Sequence, residues 1–103
     1  MTAATALQSA LSLISSPHSW AQKSVALDSR GNEVKPLADT AKRFCMIGAL
    51  QRVPCSSDEY GEAVLHLRRS CGKLSIFEFN DQCGHKAMVK VMKRAIAASG
   101  GRA

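Results

Sequence analysis

The sequence predicts an α+β fold of about four helices packed with a small two- or three-stranded sheet, and three observations carry that prediction. Four segments repeat apolar residues at helical spacing. One segment, residues 74–79 (LSIFEF), is dense in β-branched and aromatic residues and too short for an ordinary helix. A turn-rich stretch at 24–35 is the evident partner for that strand. At 103 residues the chain is sized for one core, so residues 1–103 are read as a single domain.

The first helix is predicted from residue 3 or 4 to Ile14. Thr2 stands at the N-cap and Leu7, Ala10, Leu11 and Ile14 share a face. Pro17 ends it, having no amide hydrogen to extend the ladder and biasing Ser16 away from helix. Residues 24–35 read as an irregular loop or short hairpin turning at Arg30-Gly31-Asn32. A second helix is expected from residue 38 or 39 to 53, with Ala41, Phe44, Cys45, Gly48 and Ala49 on one face and Pro54 as its stop. Gly48 inside that helix implies that a neighbouring backbone or ring presses close.

The third helix has the clearest start in the chain, a capping box from Ser56 to Glu59. Tyr60, Ala63, Val64 and Leu67 form its inward face, Arg68 and Arg69 suit the negative end of its dipole, and Gly72 terminates it. After the expected strand, Asn80 and Asp81 fall at a strand-to-helix junction, where short polar side chains cap or shape a turn. A last helix from residue 83 or 85 to 97 places Met88, Val89, Met92, Ala95 and Ile96 inward and Lys86, Lys90, Lys93 and Arg94 outward. Residues 99–103 are expected to form a disordered tail.

Composition narrows the classes of function. A hydrophobic share of 46% with 21% charged residues is that of a folding globular chain. No apolar run approaches the roughly 18 residues of a membrane span. The N-terminal residues lack the charged and apolar regions of an export signal, which predicts a cytoplasmic protein with Cys45, Cys55, Cys71 and Cys83 as free thiols. A formal charge of +6 and a pI near 9.5 draw the molecule toward polyanions or acidic protein surfaces.

Three spaced groups of residues carry a resemblance: Trp20 and Gln22 (W-x-Q), Ala41 through Cys45, Gly48, Ala49 and Leu50 (A-x-x-x-C-x-x-G-A-L), and Phe79-Asn80-Asp81 (F/W-N-D), with Ala26, Asp28 and Gly31 between. Together they resemble a family of small uncharacterised proteins from bacteria and their phages, over roughly residues 7–96. The resemblance implies no established activity, and His85 matches none of its motif positions.

Read for chemistry, Cys45 is the first nucleophile candidate, with His85 or His66 as its base and Asp81 as a secondary carboxylate. On an apolar helix face beside a glycine notch, however, a buried and inert cysteine is the commoner outcome. Trp20, the single tryptophan, is expected to pack over the loop with its N–H partnered. No C-x-x-C pair occurs, and Cys83-Gly84-His85 is the closest couple around His18, His66 and His85, so neither a metal nor another cofactor is expected.

Lys86, Lys90, Lys93 and Arg94, with Arg68, Arg69 and Lys73 as a second patch, are the binding candidates. The leading expectation is therefore a small basic binding protein with a protein partner, a phage-associated inhibitor occupying a surface of a larger bacterial host-defence complex. The alternatives are a nucleic-acid-binding protein acting through the last helix and a cysteine-dependent hydrolase or transferase.

Overall fold

The computed structural model of the chain describes residues 2–101. Among them are five α-helices, a single 3-10 turn and a two-stranded antiparallel sheet, an α+β architecture. In chain order these are α1 (Ala3–Ile14), the turn (Pro17–Ser19), β1 (Ala26–Leu27), β2 (Arg43–Phe44), α2 (Met46–Arg52), α3 (Ser57–Ser70), α4 (Ile76–Gln82) and α5 (His85–Ala98). Helix α1 is central and packs on α2, α3 and α5, while α3 packs on α5.

The start of α1 follows from local chemistry. The Thr2 hydroxyl accepts from the Thr5 N–H at 3.2 Å, and the Thr2 N–H donates to the Thr5 hydroxyl at 2.7 Å, so two amides that the helix leaves unpaired are satisfied reciprocally. Its buried face is mostly small, with Ala3, Ala6 and Ala10 beside Leu7 and Ile14, which lets three helices approach it closely. Met46, Leu50, Leu67, Met88, Met92 and Ile96 fill the space between.

The sheet is shorter than expected; one strand comes from the 24–35 stretch, as read, but its partner is Arg43–Phe44 and not residues 74–79. Ala26 pairs with Phe44 and Leu27 with Arg43. The turn at Arg30-Gly31-Asn32 forms as anticipated, because Gly31 takes φ +85° and the Asp28 carboxylate accepts from the Arg30 and Asn32 amides, each at 2.9 Å.

Two elements depart from the reading of the sequence. Residues 74–79 do not form a strand: Ser75 caps α4, its hydroxyl accepting from the Glu78 N–H at 3.1 Å while the Glu78 carboxylate accepts from the Ser75 N–H at 3.2 Å. The β propensity of Ile76, Phe77 and Phe79 loses to this capping box and to burial of Ile76. Asn80 and Asp81 accordingly lie inside a helix and not at a strand end.

The second helix also starts later than expected. Residues 38–41 form turns, Arg43 and Phe44 are extended against β1, and α2 begins only after Cys45, whose ψ of 177° is extended. Its end at Val53, before Pro54, is as read. Helix α3 begins and ends where its signals place it, with the Ser56–Glu59 capping box formed and Gly72 at φ +68°. Ser99 to Gly101, expected in the tail, are hydrogen-bonded onto the end of α5, the Gly101 N–H donating to the Ile96 carbonyl at 2.9 Å. Residues 102 and 103 of that tail lie outside the described residues.

Candidate functional site

The motif residues converge on one place, where the ends of four helices meet the segment 20–23. An α-helix leaves its first amides and last carbonyls without internal partners, and burying such ends is costly unless side chains complete them. Here the side chains of Asn80, Gln22, His85 and Cys45 do so.

Asn80, 1% exposed, is at the centre. Its Oδ1 accepts from the Trp20 indole N–H at 2.9 Å and from the Met46 N–H, the first amide of α2, at 3.0 Å. Its Nδ2 donates to the Ala21 carbonyl at 2.9 Å and to Asp81 Oδ1 at 3.2 Å. A carboxamide suits this position because it offers acceptor and donors at once. The Asp81 carboxylate also accepts from the Lys23 N–H at 2.7 Å and so anchors that residue, which holds φ +67° without being glycine.

Gln22 closes the other end of α4. Its Nε2 donates toward the carbonyls of Asn80 (3.1 Å), Asp81 (3.3 Å) and Cys83 (3.1 Å), groups in the last turn with no helical partner. His85 Nε2 lies 2.8 Å from the Ile14 carbonyl at the end of α1, a contact that places the ring proton on Nε2, and the imidazole meets the Trp20 ring edge-on with centroids 5.5 Å apart.

Cys45 is the N-cap of α2. Its Sγ accepts from the Gly48 N–H at 3.3 Å, and the residue is 3% exposed. Burial raises its thiol above the ordinary range, and the neighbouring Asp81 charge acts in the same direction. Gly48 is required one turn on, since a Cβ there would fall on the Val25 carbonyl oxygen. That carbonyl also accepts from the Cys45 N–H at 3.1 Å, so α2 lies directly on the backbone leading into β1. The close approach inferred from Gly48 in the sequence is this one.

The structure thus brings Trp20, Gln22, Cys45, Gly48, Asn80, Asp81 and His85 together, but with their polar atoms turned to one another and to the backbone. Asp28 stands apart, shaping the β1 turn. Of the two histidines considered as partners for Cys45, His85 holds the Ile14 carbonyl, and His66 lies 3.9 Å from the exposed Glu62 carboxylate on its own helix. His18 is exposed in the 3-10 turn. Among the described residues no group of three or more His, Cys, Asp or Glu could hold a metal ion. All four cysteines are free thiols.

Arg52 lies in the last turn of α2. Its guanidinium donates to the Pro36 and Ala38 carbonyls, both at 2.9 Å, and sits 6.0 Å over the Phe44 ring, tying the end of α2 to the loop before β2. Those partners lie 16 and 14 residues earlier, a pairing that helical spacing alone does not reveal.

The cationic candidates divide. Lys86, Lys90 and Lys93 are exposed on α5, and among the described residues no carboxylate pairs with them. Arg68 and Arg69 are exposed on the last turn of α3, and Lys73 follows. Arg94 differs, because its Nη1 donates to the Ser70 carbonyl at 3.0 Å and closes the end of α3.

Two open hollows, of about 370 and 330 Å³, flank Val53, the first lined by Cys55, Ser57 and Tyr60 and the second by Leu13, Arg52 and Pro54. No residue of the Asn80 cluster lines either one. Among the described residues no helix is long and apolar enough to cross a membrane.

Fold and site together define a small α+β module whose helix ends are completed by one cluster of interior polar side chains and whose last helix carries an unpaired cationic stripe. Over residues 1–98 the chain matches a family of unknown function (DUF6197), and it belongs to that family. No curated protein and no solved structure matches it.

Proposed function

We propose that this chain is a non-enzymatic binding protein that offers one fixed cationic face to a larger, negatively charged partner. The observation that supports this most directly is a division of labour. The residues best suited to chemistry have their polar groups satisfied internally, whereas Lys86, Lys90 and Lys93 stand exposed on a rigid helix with no acid beside them. In the form expected from the sequence, the partner is a bacterial complex, and the protein acts as a phage-associated inhibitor that covers a charged surface of a host-defence assembly. Two observations weigh against the reading of Cys45 as a nucleophile: its thiol is buried and raised, and the Nε2 of His85, a candidate base, is held by the Ile14 carbonyl.

The test is recovery of a partner from bacterial lysate at low and high salt, with wild type beside a Lys86→Glu, Lys90→Glu, Lys93→Glu variant that keeps the wild-type circular dichroism. A stoichiometric partner held by wild type at low salt and lost by the variant is the expected result. Recovery of no partner, or equal recovery by both chains, contradicts the proposal.

Direct binding to nucleic acid is the second reading. It is favoured by the absence of any large exposed apolar side chain on α5, because a protein interface draws its energy from aromatic or aliphatic anchors at its centre.

A further inference from the structure

We infer that the cationic stripe of α5 and the arginines of α3 form a single face that binds the phosphate backbone of double-stranded DNA; this rests on the nucleic-acid reading above and names the form of nucleic acid.

The first step is that two patches, separate in the sequence, lie on helices that pack together. Helices α3 and α5 pack along each other, burying Ala63, Leu67 and Ser70 of one and Met88, Val91, Met92 and Ala95 of the other. Arg94 then locks the pair, its guanidinium reaching from α5 to the Ser70 carbonyl at 3.0 Å. That bond ties the last turn of α3, which carries Arg68 and Arg69, to α5, which carries Lys90 and Lys93. Arg94 is a positioning residue in this arrangement, since its guanidinium is engaged within the fold.

The second step concerns what such a face fits. Helix α5 contains no acidic residue, and α3 has none after Glu62, so the charge is of one sign. Among the described residues of the two helices the one large exposed apolar side chain is Leu65, at 37%, which leaves a protein partner little to grip. Single-stranded nucleic acid is held largely by stacking on aromatic rings. Neither α5 nor the C-terminal half of α3 has a phenylalanine, tyrosine or tryptophan. A surface of lysine point charges on a stiff support suits a regular row of phosphates.

The third step is spacing. Lys86 and Lys93 are separated by about 10 Å along α5, at about 1.5 Å per residue. That is close to the roughly 12 Å width of the B-form major groove, so the stripe can reach the phosphates on either side of it. The A-form RNA groove is deep and narrow and offers no such match. Contacts of this kind position a protein without reading sequence.

The experiment titrates the full chain against a short fluorescent DNA duplex of mixed sequence over a range of salt, with the matching RNA duplex and polyglutamate as parallel probes. Contacts from Lys86, Lys90, Lys93, Arg68 and Arg69 predict a log–log salt slope of about −4.5, at about 0.9 per phosphate. Replacing the three lysines with Gln should reduce that slope by about 2.7, and replacing the two arginines with Gln should reduce it by about 1.8. Arg94→Ala should lower the melting temperature and leave the slope within about 0.5 of wild type, whereas loss of a phosphate contact would remove about 0.9.

Loss of binding in the lysine variant alone would overturn the composite face. Equal affinity for the RNA duplex would overturn the assignment to B-form DNA. Binding to polyglutamate without binding to DNA would overturn this inference and leave the proposed function standing, while binding to none of the three probes would remove the support for both.

Discussion

Asn80 shows how one side chain can hold several elements. It completes the first amide of α2, the Trp20 indole and the Ala21 carbonyl, and none of those groups is replaced by water when the residue is 1% exposed. The thiols are a second case of environment deciding chemistry. Burial pushes Cys71 up from 9.0 to about 11, so at neutral pH it stays protonated and inert. A group whose folded pKa exceeds its unfolded value contributes stability that is complete below the unfolded value and is lost as pH rises through the folded one. Wild-type stability should therefore fall relative to Cys71→Ala as pH rises from about 9 to about 11, measured by urea midpoints. Parallel pH profiles for the two proteins would show that the thiol is not held protonated by the fold.

The elements show which local signals outweigh others. The capping box at Ser56–Glu59 marked α3 correctly, and the same pattern at Ser75–Glu78 marks α4, where the bulky residues 76–79 drew the reading toward a strand. The late start of α2 was hidden for a different reason. Apolar spacing runs unbroken from Ala41 into the helix, and only the pairing of Arg43 and Phe44 with β1, some 16 to 18 residues earlier, pulls that stretch into extended form. Gly48 was legible because glycine inside a helix needs a cause. That cause yields a prediction: Gly48→Ala, which by helix propensity alone would stabilise by about 1 kcal/mol, should instead destabilise by about 2 kcal/mol through overlap with the Val25 carbonyl. A raised thermal midpoint in the alanine variant would mean that α2 does not rest on β1.

For the molecule as a whole, the sequence disclosed the fold class, four of the five helices and the residues of the central cluster, but not how those residues meet. Trp20 and Asn80 are 60 positions apart, and Gln22 and Cys83 are 61 apart, so only tertiary structure turns three short motifs into one set of helix caps. The charge was legible from composition; the Arg94 bond that ties α5 to the end of α3 was not. The resulting division is simple in physical terms. Interior polar residues fix helix ends against one another, and exterior cations, free of such duty, are available for a partner.

Equilibrium urea unfolding of two variants side by side tests that division most directly. Asn80→Ala should lose at least about 3 kcal/mol, since it leaves two donors and one acceptor unpaired inside the fold. Replacing Lys86, Lys90 and Lys93 together with Gln should change stability by no more than about 0.5 kcal/mol. A stable Asn80→Ala protein, or a lysine variant that unfolds, would contradict the account.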